Sequence, residues 1–99
     1  MNTKDIILHL IKEELRNKRL MFSLEDLGID CSFYTLDISN TILSLAGFRE
    51  VTDPMYEWYF GLVSKALEGI TFRNLEQSLQ NWPMVIYNEL IKKKNEKTE

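Results

Sequence analysis

The sequence predicts an all-α protein, a small single domain packed as a bundle or an orthogonal array of about five helices. Three observations predict it. Apolar side chains return every three or four residues through most of the chain. A glycine followed by an apolar residue closes two of these stretches, at Gly47-Phe48 and again at Gly69-Ile70. No segment shows the sustained alternation that a strand would need. With 99 residues, 44% of them apolar, the chain suffices for one hydrophobic core and not for two.

The first helix is expected from about Lys4 to Lys18, with Ile7, Leu8, Leu10, Ile11 and Leu15 recurring at helical spacing. Asp5, His9, Lys12, Glu13 and Arg16 share the opposite face. Leu20-Met21-Phe22 should be buried. A separate short turn comes next, capped by Ser23 and ended by Gly28 in the left-handed conformation.

The second helix is expected from about Tyr34 to Ala46, with Ile38, Ile42, Leu43, Leu45 and Ala46 in one half of its wheel. The third is expected to be capped by Asp53, with Pro54 in its first turn, and to end at Gly69. Its apolar residues, Met55 through Leu67, cover an arc of about 200°, which marks it as the central helix. A fourth helix should begin after Thr71, carrying Phe72, Leu75, Leu79 and Trp82 in a narrow stripe. Pro83 should break or kink the path into a fifth, through Ile86, Tyr87, Leu90 and Ile91. The expected organisation is one helical domain over residues 1–91, then a basic, frayed tail over 92–99.

Charge is uneven. Between Leu20 and Ser64 there are seven acidic side chains and one basic, Arg49, so the middle of the chain disfavours a nucleic-acid groove, permits a basic protein partner, and reads most simply as a solvated surface. The four lysines of the tail (Lys92, Lys93, Lys94 and Lys97) are diluted by Glu96 and Glu99 and read as a solubilising end. The single cysteine fits a reducing compartment. Neither a secretory leader nor a membrane-length apolar run is apparent, and the expected location is cytoplasmic.

Few residues invite chemistry. Asp5, His9 and Glu13 stand at i, i+4 and i+8, but Lys12 and Arg16 on the same face would repel a metal and pair with the carboxylates. Cys31 has no histidine near it in sequence, and Asp30 would raise its pKa, so it reads as a small hydrophobe sooner than a nucleophile. The run Tyr56-Glu57-Trp58-Tyr59-Phe60 places its aromatics all around one rod, and most should be core. Any that surface mark a protein interface, and Trp58, Tyr56 and Phe22 are the candidates. Gly61, on the polar side of the third helix, costs about 1 kcal/mol relative to alanine; it either lets a second backbone approach, as across a dimer interface, or is a tolerated accident.

The segment Leu24-Glu25-Asp26-Leu27-Gly28-Ile29-Asp30 resembles the one that precedes the second helix of acyl carrier proteins, and Ile70-Thr71-Phe72-Arg73 with the helix after it looks like their last helix. The resemblance covers about a quarter of the chain. That family carries phosphopantetheine on the serine directly after the Asp of this motif. Here the position holds Cys31, with Ser32 one residue later, and the stretch between the matching pieces is longer than in the family.

No phosphate-binding glycine loop, ligand cluster or nucleophile–base pair appears, so the expectation is a non-enzyme without metal or cofactor. The leading expectation is a helical interaction or adaptor protein whose partner is a protein, with a second copy of itself among the candidates. An acyl-carrier-like domain and a nucleic-acid-associated regulator are the alternatives.

Overall fold

The structure is a computed structural model that describes residues 2–28, 34–48, 52–71 and 73–97, with backbone alone for 21–26, 34–37, 53 and 97. Four helices make up the described fold: α1 (Thr3–Asp26), α2 (Tyr34–Leu45), α3 (Asp53–Glu68) and α4 (Leu75–Lys97). The domain is all-α, with a radius of gyration of 13.5 Å. No described helix is long and apolar enough to cross a membrane.

The count is four because the first helix runs past its expected end and because the path at Pro83, where a break or a kink is expected, stays one helix. The first helix does not stop at Lys18; α1 runs on to Asp26 and absorbs the separate capped turn expected there. Between Lys18 and Asp26 the chain has neither glycine nor proline, so nothing interrupts the hydrogen-bond ladder until Gly28, whose φ of 89° takes the left-handed conformation. At the other end Asn2 caps the helix, its side-chain oxygen accepting the Asp5 N–H at 2.9 Å.

Likewise α4 passes through Pro83 without ending. Proline inside a helix forfeits one backbone hydrogen bond and crowds the carbonyl four residues back. Leu79 before it and Ile86 and Leu90 after it are all buried in the same core, and that shared burial holds both halves to one wall. The helix also continues beyond Ile91 through the lysines to Lys97.

The stop at Gly47 forms in full. Gly47 has φ 102°, its N–H reaches the Ser44 carbonyl, and the Phe48 N–H reaches that of Leu43 at 3.1 Å while the Phe48 ring is buried. The ends of α3 differ in detail. Its N-cap is Thr52, one residue before the expected Asp53, and Thr52 makes no side-chain cap bond. Gly69 closes it with right-handed φ and ψ instead of a left-handed turn. The corner after it is held by Thr71 and Asn74: the Thr71 N–H donates to Asn74 Oδ1 at 2.7 Å, and Asn74 Nδ2 donates to the Gly69 carbonyl at 3.0 Å.

The centre of the fold belongs to α1, not to α3. It packs against α2, α3 and α4, whereas α3 packs against α1 and α4. Ile7, Ile11 and Leu15 of α1 are buried with Ile42 and Leu43 of α2, Tyr59 and Val63 of α3, and Ile86 and Leu90 of α4. The broad apolar arc of α3 is spent partly on this core and partly on the surface, where Phe60 is 52% exposed.

Candidate functional site

Two features stand out from the packed helices, a buried polar cluster and the outward face of α3. The cluster starts on α1. Glu14 lies among Ile7, Ile11 and Leu15 on the inward stripe and is wholly buried. A carboxylate there must replace its water shell with hydrogen bonds or carry a cost of several kcal/mol. Two hydrogen bonds and one ion pair supply the replacement. Ser39 of α2 donates its hydroxyl to Glu14 Oε2. Tyr59 of α3 donates its phenolic hydroxyl to Glu14 Oε1 at 2.5 Å. Lys18, one turn along α1, places Nζ 3.8 Å from Oε2.

Both titratable partners respond to the setting. Burial lowers the pKa of Lys18, against the opposing pull of the Glu14 charge and hydrogen bond. Burial, then the Glu14 charge and its hydrogen bond, raise that of Tyr59 far above the ordinary phenol value. A carboxylate with two hydroxyl donors is the material of general acid–base chemistry, but Glu14, Ser39 and Tyr59 are each no more than 2% exposed. The cluster meets three helices, not solvent. Its effect is to fix how α1, α2 and α3 sit against one another.

From this cluster the side chains lead outward. The Lys18 ammonium, 3% exposed as a residue, lies 5.0 Å from the centre of the Phe60 ring, which covers it from the solvent side. Beside Phe60 comes Gly61, at the middle of the outward face of α3, with Glu57 and Lys65 one turn to either side and all three exposed. A methyl group added at Gly61 would meet nothing within 4 Å. The glycine therefore makes no room for another part of this chain. Gly61→Ala is expected to raise stability in dilute solution by about 0.5–1 kcal/mol, because alanine loses less backbone entropy in a helix. Urea titrations at low micromolar concentration check this, and a loss of stability would mean that the site is crowded after all.

The remaining candidates are scattered. Trp58 is half-buried against the core, with Lys93 Nζ 5.4 Å from its ring centre, and Tyr56 is also half-buried. Phe22 falls within α1, where the description covers backbone only. Cys31 and Ser32, on which the carrier-like reading turns, lie outside the described residues.

His9 is exposed, and it lines a groove of about 210 Å³ with Leu8, Lys12, Pro83 and Met84. Glu13 of the same face is paired with Arg16 at 3.0 Å. Among the described residues no group of three His, Cys, Asp or Glu side chains is placed to hold a metal ion.

Glu14, Lys18 and Ser39 were not among the residues singled out from the sequence, although a signal existed. On a helical wheel Glu14 and Lys18 fall inside the arc of about 80° spanned by Ile7, Ile11 and Leu15 and its immediate edge, so the inward stripe of α1 is not wholly apolar. No family model, no curated protein and no solved structure matches this chain.

Proposed function

We propose that this protein is a protein-binding module of the adaptor kind, and that its docking surface is the outward face of α3 centred on Phe60 and Gly61. The observation that carries the reading is Phe60, a phenylalanine 52% exposed next to a helical glycine with open space around it. Aromatic residues are enriched where proteins meet, and a glycine in the exposed middle of a helix is a standing cost unless something packs on it.

The sealed polar cluster supports the same reading from the other side, since the titratable groups that the fold gathers are spent on holding helices. Beneath Phe60 the rigid cluster also pre-arranges the surface, which lowers the entropy lost when a partner docks. The setting is the cytoplasmic one that the lone cysteine suggests.

The test compares three proteins as bait in extracts of the native cell: the parent, Gly61→Arg on the proposed face, and Val85→Arg on α4, where Val85 is 47% exposed. A partner held by the parent and by Val85→Arg but lost from Gly61→Arg is the expected result. Equal capture by all three would mean that this face binds nothing.

A further inference from the structure

We infer that the occupant of the α3 face is a second copy of this chain, docked antiparallel across a two-fold axis at Gly61. The inference rests on the α3 face being a docking surface, and it names the partner. Its ground is the charge pattern around the glycine. In an antiparallel pair with the axis at Gly61, a residue a given number of positions before it in one copy lies opposite the residue the same number after it in the other. Four before is Glu57 and four after is Lys65.

Each copy's Glu57 therefore meets its partner's Lys65, twice, by symmetry. Within one chain the two cannot reach each other, being about 12 Å apart along the helix axis. Both lie with Gly61 on one face, since positions i, i+4 and i+8 drift by only about 40° per step. A parallel pairing would instead set Glu57 against Glu57 and Lys65 against Lys65.

The remaining features fit the same geometry. Gly61 at the crossing lets the two backbones come close, as small residues do where helices pack tightly. Phe60 is displaced to one flank, and a two-fold axis perpendicular to the plane of the two helices keeps both copies' rings on that same side. The two exposed rings then flank the interface on that side, each still over its own Lys18 ammonium. The antiparallel arrangement also opposes the two helix dipoles favourably. A face of one 16-residue helix is small for an interface, so the dimer is weak and depends on concentration.

Sedimentation equilibrium over roughly 10 µM to 1 mM, a range suited to a small interface, tests this on the whole chain. The parent is expected to dimerise reversibly. Glu57→Lys and Lys65→Glu, each of which turns two attractive contacts into two repulsive ones, should each weaken the dimer roughly tenfold. The double variant should restore it, and an equimolar mixture of the two single variants should associate more tightly than either alone. Gly61→Arg should abolish association while the helical circular-dichroism signal is kept.

A strict monomer up to about 1 mM would overturn the inference. So would a dimer indifferent to both charge reversals. If the monomer result coincides with a cellular partner lost from Gly61→Arg, the face binds proteins but not its own kind. If no capture depends on Gly61 either, both readings fall together.

Discussion

Glu14→Ala is expected to destabilise the protein by about 3–5 kcal/mol, on the order of 15–30 °C in Tm for a domain of this size. The carboxylate is the acceptor for Ser39 and Tyr59 and the counter-charge of Lys18, and all of them are buried. Alanine removes the acceptor, leaves two buried hydroxyl donors unmatched, and leaves the Lys18 ammonium with the Phe60 ring but no counter-charge. Against a typical total stability of about 5–15 kcal/mol, that loss is a large fraction of the whole.

Removing the whole cluster should cost far less. The quadruple variant Glu14→Leu, Lys18→Met, Ser39→Ala and Tyr59→Phe leaves no orphaned group, and buried ion pairs exchanged for apolar residues of similar volume are often neutral or stabilising. Its stability should return to within about 2 kcal/mol of the parent. Thermal and urea melts of the single and quadruple variants check both results. A Glu14→Ala protein that lost under about 1 kcal/mol would mean that water reaches the cluster and that it holds little together.

The second large effect is alkaline. Tyr59 keeps its proton in the folded state well above the pH at which a free phenol ionises, because burial and the Glu14 carboxylate both oppose a phenolate. A group whose folded pKa is raised contributes stability that is fully present below its unfolded pKa, about 10, and lost above it. Stability should therefore fall by about 1.4 kcal/mol per pH unit above pH ~10 from this one group.

Lys18 acts in the opposite sense and earlier. Its folded pKa is lowered, so its contribution rises with pH between that value and about 10.4 and is flat beyond. The profile should thus turn downward near pH ~10. In Tyr59→Phe the protein starts lower, by about 1.5–3 kcal/mol for the lost hydrogen bond to a charged acceptor, but lacks this part of the alkaline decline. Urea titrations from about pH 8 to about pH 12 should show the two curves converging. Curves that stay parallel would mean that the Tyr59 hydroxyl ionises as an exposed phenol does.

Gly47 and Pro83 mark where local reasoning succeeded and where it stopped. The Schellman stop at Gly47-Phe48 was legible because every group that makes it lies within a short stretch of chain, and the structure forms it bond for bond. At Pro83 the local signal allows either a break or a kink, and the helix runs on as one, since the cost of one missing hydrogen bond is local but the burial of Leu79, Ile86 and Leu90 in the shared core is not. The first helix runs past Lys18 for a related reason. Its amphipathic pattern weakens after Lys18, yet no residue there forbids a helix, and propagation needs only the absence of a breaker.

The exposed glycine was visible from its place on the wheel; that its neighbour Phe60, and not Trp58, stands most open depended on where α4 lies, with Lys93 over the Trp58 ring. By itself, then, the sequence determined the class of the fold, the two glycine turns that end α1 and α2, and most of the apolar core, because periodicity and turn chemistry act over a few residues. Only the tertiary structure decided that Glu14 is a buried hub. Its hydroxyl donors come from positions 25 and 45 residues away along the chain, and whether a carboxylate on an inward stripe is stranded or satisfied depends on what those distant helices place against it.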